Sequence, residues 1–445
     1  MNVPRSVSRL SRERLSALTA ASKGHHRLDR MVRYNPRARR RVETTIAEFA
    51  AADRGIRARL TETMTLRVLD HARQTAYGRG RKRNLDAWPI LEKDVVREGP
   101  ARFVTRGLVR IPASTSGTSG SPLRLSRSLE CIAAEQAFLD HVLSSHGLSF
   151  RTARVAVLRG DVIKDPGDRD PPYWKESPNR LVFSNPHLSP DTVRHYVDAL
   201  ERFRPQILWA YPSMIGGLLR CLKSTGLRTA VPVVLLSSEV VPPLLALQIE
   251  EELSATVLDY YGQAERVCLA FAVERGVYRF APAYGRVELI PEHANADAPR
   301  TARVVATGFW NAAMPLVRYD TGDSVVLPAR AADDLSPVEL GLEPFPAIIG
   351  RTTEYLVTRD GRTIGGLNHL PRDVEGLVQA QVVQESLDVV VVRVLSNGDF
   401  DESARQQLLD NARQKIPPEV TIEVTVVDEL ERSESGKVPF LISRL

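Results

Sequence analysis

The chain has 445 residues, 43% of them hydrophobic and 26% charged, with a formal net charge of +6. This length exceeds what one core supports and predicts two or three domains. The sequence contains no apolar run near the roughly 18 residues of a membrane span and starts without the apolar region of a secretion signal, so we expect a cytoplasmic protein. The three cysteines, Cys131, Cys221 and Cys268, have neither disulfide nor metal-ligand spacing.

The positive charge is concentrated at the N-terminus. Residues 1–60 hold fifteen Lys or Arg against five Asp or Glu, a balance of +10 that leaves −4 for the rest. Apolar spacing predicts helices at 42–60 and 62–77, so we interpret residues 1–61 as a basic helical extension with a solvated face. A nucleic-acid-binding arm is the alternative. We favour the solvated face because no aromatic residue interrupts the densest basic run, residues 37–41.

Between residues 154 and 261, short apolar segments alternate with helical ones, which predicts a mainly parallel sheet covered by helices. The predicted strands are 154–158, 181–183, 206–210, 231–236 and 256–261, the predicted helices are 190–203, 212–225 and 242–253, and 165–178 is a predicted loop. The spacing in residues 277–327 indicates an antiparallel, barrel-like section. We therefore predict an α/β fold, with a large domain at 62–349 and a small, mobile α+β domain at 350–445.

One loop combines hydroxyl groups and glycines at high density. It contains Ser114, Thr115, Ser116, Gly117, Thr118, Ser119, Gly120, Ser121 and Pro122. Glycine lets backbone N–H groups converge on an anion and hydroxyls add donors, so a phosphate chain is the ligand that this loop suits. A flexible linker is the alternative. The predicted strand at 108–111 and helix at 128–143 favour a nucleotide site, although the Walker pattern is absent.

Four further polar clusters follow apolar segments. They are residues 259–265, residues 311–323, Gly350-Arg351, and Ser435-Gly436-Lys437. Alone, each is compatible with a turn or a solvated tail. In this order, after a Ser/Thr/Gly loop, they resemble the adenylate-forming superfamily of acyl-CoA ligases, adenylation domains and luciferases. Its phenylacetate–CoA ligase-like branch, which includes capsule-biosynthesis-type and coenzyme F390 synthetase-like proteins, is similar in residues 69–73, 88–94, 209–213 and 313–319. The likeness runs from about residue 62 to the end.

The resemblance implies an ATP site and assigns a role to each matching residue. The Ser114–Gly120 loop would hold the β- and γ-phosphates, Glu265 would ligate Mg²⁺, and Asp323 would accept both ribose hydroxyls. Lys437 would bridge the substrate carboxylate and the α-phosphate. The other implied nucleotide contacts are Ser238 and Glu239 near the adenine, Tyr261 and Gly262 beside the adenine and α-phosphate, and Arg351 at the hinge.

The implied activity is ATP-dependent formation of an acyl-adenylate from an aromatic or aliphatic carboxylic acid, followed by transfer to coenzyme A. Rotation of the C-terminal domain would then replace Lys437 by Gly365-Gly366 near the acceptor. Transfer to an amine, a hydroxyl or a carrier protein stays open, as do a homodimer and the identity of the acid. A non-catalytic nucleotide-binding protein is the alternative from another class. The intact setting of Lys437 favours the enzyme.

Four positions depart from the family pattern. Leu123 replaces the basic residue that often follows the proline of the loop, and Ala264 replaces the threonine before the metal-binding glutamate. Thr353 stands at the first carboxylate of the hinge, and Asp320 stands where arginine is common. These departures affect the hinge and the pocket beside Ala264, and they leave the three charged residues that the chemistry needs in place.

Overall fold

The computed structural model describes residues 31–114, 123–159, 161–165, 167–239, 241, 243–292, 300–328, 334–349, 356–361, 363–364, 367, 370–371, 374–396, 398–431 and 440–445. The helices are α1 (Pro36–Ala51), α2 (Arg54–Ala72), α3 (Lys93–Glu98), α4 (Leu129–Ser144), α5 (Val193–Phe203), α6 (Pro212–Thr225), α7 (Pro243–Leu253), α8 (Ser336–Glu339) and α9 (Glu402–Arg413). The first ten strands are β1 (Arg110–Ser114), β2 (Arg124–Ser128), β3 (Val155–Leu158), β4 (Trp174–Ser177), β5 (Arg180–Phe183), β6 (Ile207–Ala210), β7 (Val233–Ser237), β8 (Thr256–Gly262), β9 (Leu269–Ala272) and β10 (Tyr278–Phe280). The remaining strands are β11 (Gly285–Pro291), β12 (Thr301–Gly308), β13 (Tyr319–Val326), β14 (Ala347–Ile349), β15 (Leu356–Val357), β16 (Thr363–Ile364), β17 (Leu377–Gln384), β18 (Val389–Ser396), β19 (Thr421–Val426) and β20 (Leu441–Ser443).

An eight-stranded sheet with the order β10-β9-β8-β7-β6-β3-β5-β4 forms the centre of the large domain. Strands β8, β7, β6, β3 and β5 are parallel, and the outer strands are antiparallel to their neighbours. Successive residues of β7 face opposite cores: Val234 packs into the core that contains α5 and α6, and Leu235 into the core that contains α1 and α4. Burial on both faces is the reason for the apolar strand pattern, and the predicted covered parallel sheet is confirmed.

The order of the parallel strands reverses at β3. The chain continues from β3 to β5 on one side and then to β6 on the other. In open α/β sheets the crevice outside the carboxyl ends at such a reversal is the usual ligand site. Arg159 follows β3 directly and Tyr211 follows β6 directly, so both residues lie at this crevice.

The first two helices pack on the large domain. Val42, Ile46 and Phe49 of α1 are buried in the core that also contains α4. Arg39 forms an ion pair with Asp140 of α4 at 2.6 Å. The predicted break between the two helices is displaced, because Asp53 caps α2 by accepting from the Ile56 amide. As a result α2 runs across the position between residues 61 and 62 where the sequence suggested a boundary.

The antiparallel section is a four-stranded sheet with the order β11-β12-β13-β14. Its third strand, β13, begins at Tyr319, so Asp323 lies on a strand rather than in a turn. The strand accommodates Gly322 at φ +74°, a conformation that residues with a Cβ adopt rarely. The side chain of Asp323 is therefore positioned by a sheet.

The C-terminal unit has its own core and confirms the predicted small α+β domain. Its main sheet has the order β19-β18-β17-β20, and α9 packs against it. The hairpin of β15 and β16 contacts α6 and the turn at Asn185–His187 in the large domain. Arg169 and Glu419 form an ion pair between the two domains at 2.9 Å. In the described part of the chain, no helix is long and apolar enough to cross a membrane.

Candidate functional site

The candidate nucleotide residues follow the carboxyl ends of two neighbouring parallel strands. Strands β7 and β8 pair with Ser237 opposite Tyr260, so Ser238 and Tyr261 are the next residues at the same edge of the sheet. Ser238 has φ +72°, and this left-handed conformation turns the chain sharply after β7. Ser238 and Tyr261 therefore lie at neighbouring positions along this edge of the sheet.

Tyr261 connects this edge to the antiparallel sheet. Its hydroxyl donates to Asp323 Oδ2 at 2.8 Å, and the Asp323 amide donates to Thr321 Oγ1 at 3.1 Å. Burial, together with the Asp323 carboxylate, raises the pKa of Tyr261 well above its usual value. The hydroxyl therefore stays protonated and holds one oxygen of the carboxylate in a fixed direction.

Glu265 follows β8 in a short loop and is 6% exposed. Its Oε1 accepts from the Tyr319 hydroxyl at 2.7 Å and lies 3.2 Å from the Lys93 ammonium. Burial alone would raise the pKa of Glu265, but the charge of Lys93 and the Tyr319 hydrogen bond outweigh it and lower the pKa. Glu265 is therefore a buried carboxylate that stays ionised at neutral pH.

Lys93 and Tyr319 are site residues that the sequence reasoning missed. They lie in two stretches that carry the branch resemblance, 88–94 and 313–319, although the resemblance assigned neither residue a role. The structure joins these stretches through backbone bonds: the Leu91 amide donates to the Arg318 carbonyl at 2.8 Å, and the Asp320 amide donates to the Leu91 carbonyl at 2.9 Å. This pairing brings Lys93 and Tyr319 to the same carboxylate.

Two arginines connect the loop around Glu265 to neighbouring elements. Arg127 donates to the Ala264 carbonyl at 2.7 Å, and Arg266 donates to the Cys131 carbonyl at 3.0 Å. Arg266 also has a positive φ of 56°, so the chain reverses immediately after Glu265. These contacts tie the loop to β2 and α4 and limit the directions that the glutamate can take.

Several predicted site residues lie outside the described part of the chain: Thr115, Ser116, Gly117, Thr118, Ser119, Gly120, Arg351 and Lys437. Gly365 and Gly366 lie outside it as well. On either side of the loop the chain forms a hairpin: Ser114 ends β1 and pairs with Arg124 of the antiparallel β2. The predicted phosphate loop therefore connects two paired strands, and α4 follows only after the second of them.

The Glu265 carboxylate is compatible with a Mg²⁺ site. The described residues contain no group of three or more His, Cys, Asp or Glu side chains that could hold a metal ion by themselves. Mg²⁺ is commonly bound by one or two carboxylates together with substrate phosphates and water. An ionised Glu265 fits that kind of site, in which most of the ligands come from the nucleotide.

Asp259 lies on β8, before Tyr261, and its carboxyl group is buried. Its Oδ2 accepts from the Tyr278 hydroxyl, whereas its Oδ1 is buried without a hydrogen-bond partner. Burial raises the pKa of Asp259 to about 7, against the opposing effect of the Tyr278 hydrogen bond. The folded protein therefore keeps this proton up to about pH 7, whereas the unfolded chain releases it near pH 4.

We expect Asp259→Asn to stabilise the protein increasingly as the pH rises from 5 to 8. The stabilising contribution of the protonated carboxyl is fully present below about pH 4 and is lost as the pH rises through about 7, at about 1.4 kcal/mol for each pH unit between the two values. Thermal unfolding midpoints of both proteins across this range measure the effect. A constant difference between the two midpoints would contradict the raised pKa.

Comparison with known proteins shows likeness over different lengths of the chain. Residues 356–444 match the family model described as the CapK C-terminal domain. Protein CapK of Staphylococcus aureus is 22% identical over 371 residues, which cover 81% of this chain and 81% of that protein.

Two solved structures of ligases share a weaker likeness. A crystal structure of 2-hydroxyisobutyryl-CoA ligase in complex with 2-HIB-AMP and CoA has a TM-score of 0.47 and 15% identity, and covers 87% of this chain and 90% of that chain. The o-succinylbenzoate CoA synthetase of Bacillus subtilis has a TM-score of 0.38 and 13% identity, and covers 74% of this chain and 67% of that chain. The C-terminal region of this protein is thus similar to the CapK C-terminal domain, and a more distant likeness to CapK extends over most of the chain.

Proposed function

We propose that the protein activates a carboxylic acid with ATP to form an acyl-adenylate and pyrophosphate. The observation that carries this proposal is a pair of oriented carboxylates beside the carboxyl end of β8, the buried Glu265 and the partly buried Asp323. Tyr261 orients Asp323, and Tyr319 with Lys93 keeps Glu265 ionised. One carboxylate suits a ribose diol and the other a metal–phosphate complex, which are two requirements of an ATP site.

In the first step an oxygen of the acid's carboxylate attacks the α-phosphorus of ATP. The bond from that phosphorus to the bridging oxygen of the β-phosphate breaks, and pyrophosphate leaves with the electron pair. Because an anion approaches an anion, catalysis depends on positioning and on positive charge. Glu265 would ligate Mg²⁺, which supplies positive charge to the phosphates when bound. Asp323 would fix the ribose, and Lys437 would lie between the carboxylate and the α-phosphate.

In the second step we propose coenzyme A as the acceptor. Its thiolate would attack the acyl carbon, the bond to the AMP oxygen would break, and the thiol proton would pass to solvent. Contacts of the C-terminal domain support this step, because β16 lies against α6 and against the turn at Asn185–His187, which follows β5. Gly365 and Gly366 follow β16 directly in the sequence and would flank the entry of the acceptor.

The test is pyrophosphate exchange into ATP with a panel of aromatic and aliphatic acids, followed by addition of coenzyme A. We expect exchange that depends on the acid and on Mg²⁺, and release of AMP and a thioester when coenzyme A is added. Exchange without thioester formation would indicate that the acceptor is an amine, a hydroxyl or a carrier protein instead of coenzyme A. Nucleotide binding without exchange for any acid would favour a non-catalytic protein.

The assignment of Asp323 predicts discrimination between ATP and its deoxy analogues. Loss of one hydrogen bond to a charged group should lower kcat/KM for 2′-deoxy-ATP and 3′-deoxy-ATP by roughly 10- to 100-fold. Asp323→Asn should lower the activity with ATP and largely remove the discrimination. Exchange rates with each nucleotide at subsaturating concentration measure both effects, and equal use of the three nucleotides by the unmodified protein would exclude this role.

A further inference from the structure

Arg159 occupies the crevice where the strand order reverses. Its guanidinium carbon lies 3.9 Å from the ring centroid of Trp209 and 4.8 Å from that of Tyr211. Trp209 lies near the carboxyl end of β6 and Tyr211 directly follows it, so two aromatic rings from one strand end support the cation. The guanidinium is therefore held in a defined place rather than extended into solvent.

The N–H donors of Arg159 have only weak hydrogen bonds or none. Its Nη2 lies 3.4 Å from Tyr211 Oη and 3.5 Å from Ser238 Oγ, which are long distances for hydrogen bonds. Its Nε is buried without a partner. Across the described ranges it forms no ion pair within 4.0 Å, and Asp161, two residues later, influences it only at longer range.

Some other partly buried arginines of this protein have carboxylate partners, and others, such as Arg57 and Arg413, donate to backbone carbonyls. Arg39 pairs with Asp140 at 2.6 Å, and Arg318 pairs with Glu288 at 2.9 Å. A charge that is partly removed from water without such a partner is costly, and aromatic rings offset this cost only in part. The planar fork of a guanidinium matches a carboxylate with two parallel hydrogen bonds. Arg159 thus has the donors and the rigid support for an anionic group that comes from a ligand.

The position of Arg159 favours the acid over the nucleotide as the source of that group. The backbone of Arg159 lies at the end of β3, three strands and roughly 14 Å from Tyr261 at the end of β8 at the usual strand spacing. Its guanidinium reaches back over Trp209 of β6, to 3.5 Å from Ser238 Oγ at the end of β7. Trp209 and Tyr211 offer apolar surface for the organic part of a substrate. We propose that the acid bears a second anionic group, such as a second carboxylate, that Arg159 binds. This inference rests on the proposed adenylation activity.

The first experiment compares dicarboxylic acids with their half-amides in the unmodified protein. Each half-amide has the shape of its parent acid but lacks the second charge, and both aliphatic and aromatic pairs are measured by pyrophosphate exchange. We expect kcat/KM to be about 10- to 100-fold higher for the dicarboxylic acid of the preferred pair. Equal rates within every active pair would overturn the inference while leaving the proposed function intact. Absence of exchange with any acid would overturn both.

The second experiment assigns the preference to Arg159. Arg159→Met should remove the preference for the second charge by raising KM for the dicarboxylic acid, Arg159→Lys should retain part of it, and neither should change KM for ATP. Arg180→Met is the matched control, because Arg180 also lies over an aromatic ring, Phe150 at 5.6 Å, but at the amino end of β5. A rise in KM for ATP with every acid would assign Arg159 to the nucleotide instead and overturn the inference.

Discussion

Glu265→Gln is expected to slow acyl-adenylate formation by about 10²- to 10³-fold, the effect of removing one preorganised charge-stabilising group. The amide can still accept from the Tyr319 hydroxyl, so the side chain should keep its position. What is lost is the negative charge opposite Lys93 and the hard ligand for Mg²⁺. Pyrophosphate exchange at saturating acid measures the effect, and its Mg²⁺ dependence should shift to higher concentrations.

Glu339→Gln is the matched control. Glu339 is partly buried, and its Oε1 accepts from the Leu289 amide, but it lies on α8 rather than in the loop after β8 that contains Glu265. This variant should retain near-normal exchange. Loss of activity in both variants to the same extent would indicate general destabilisation, and normal exchange by Glu265→Gln would remove Glu265 from the mechanism.

Lys93→Met tests the electrostatic side of the same site. Burial raises the pKa of Glu265 and the charge of the Lys93 ammonium lowers it, so the pKa should rise when the ammonium is removed. The carboxylate is then protonated over a wider range, and the acidic limb of the rate–pH profile should move to higher pH. An unchanged acidic limb would show that Lys93 does not control the ionisation of Glu265.

The sequence predicted best the helices that begin and end at residues with strong conformational preferences, such as proline and glycine. The helix predicted at 212–225 is confirmed at Pro212–Thr225, because Pro212 begins it and Gly226 ends it with φ +69°. The helix predicted from residue 190 is wrong at its start and begins at Val193. Ser189 does not cap it. Instead, the Ser189 amide donates to the Thr192 hydroxyl at 3.0 Å, which fixes a separate turn before the helix.

Edge strands and contacts distant in the sequence were not predictable in this way. The loop predicted at 165–178 contains β4 at Trp174–Ser177, an edge strand whose exposed residues show no apolar alternation. The Tyr261–Asp323 bond joins residues 62 positions apart, and no local pattern specifies such a pair. The same holds for Lys93 and Glu265. The order of motifs indicated which residues belong to one site, but only the folded sheets show which atoms meet.

The two half-reactions should respond to different changes in the C-terminal domain. The ammonium of Lys93 is already engaged with Glu265 at 3.2 Å, so joining the acid to the α-phosphate calls for another cation. We assign that role to Lys437 on the basis of its Ser-Gly-Lys setting. Lys437→Ala should slow adenylate formation by about 10²- to 10³-fold and leave thioester formation from a supplied acyl-adenylate nearly unchanged.

Gly366→Trp should produce the opposite pattern, because bulk beside the hairpin of β15 and β16 would obstruct the acceptor while the adenylation step proceeds. Pyrophosphate exchange reports the first half-reaction, and single-turnover thioester formation from a synthetic acyl-adenylate reports the second. Arg405→Ala is the control, since Arg405 is also a cation of this domain but lies on α9, outside the Ser-Gly-Lys segment. It should not separate the two steps. If Lys437→Ala slows both steps equally, or neither, the two steps do not use different arrangements of this domain and Lys437 does not bridge the reacting groups.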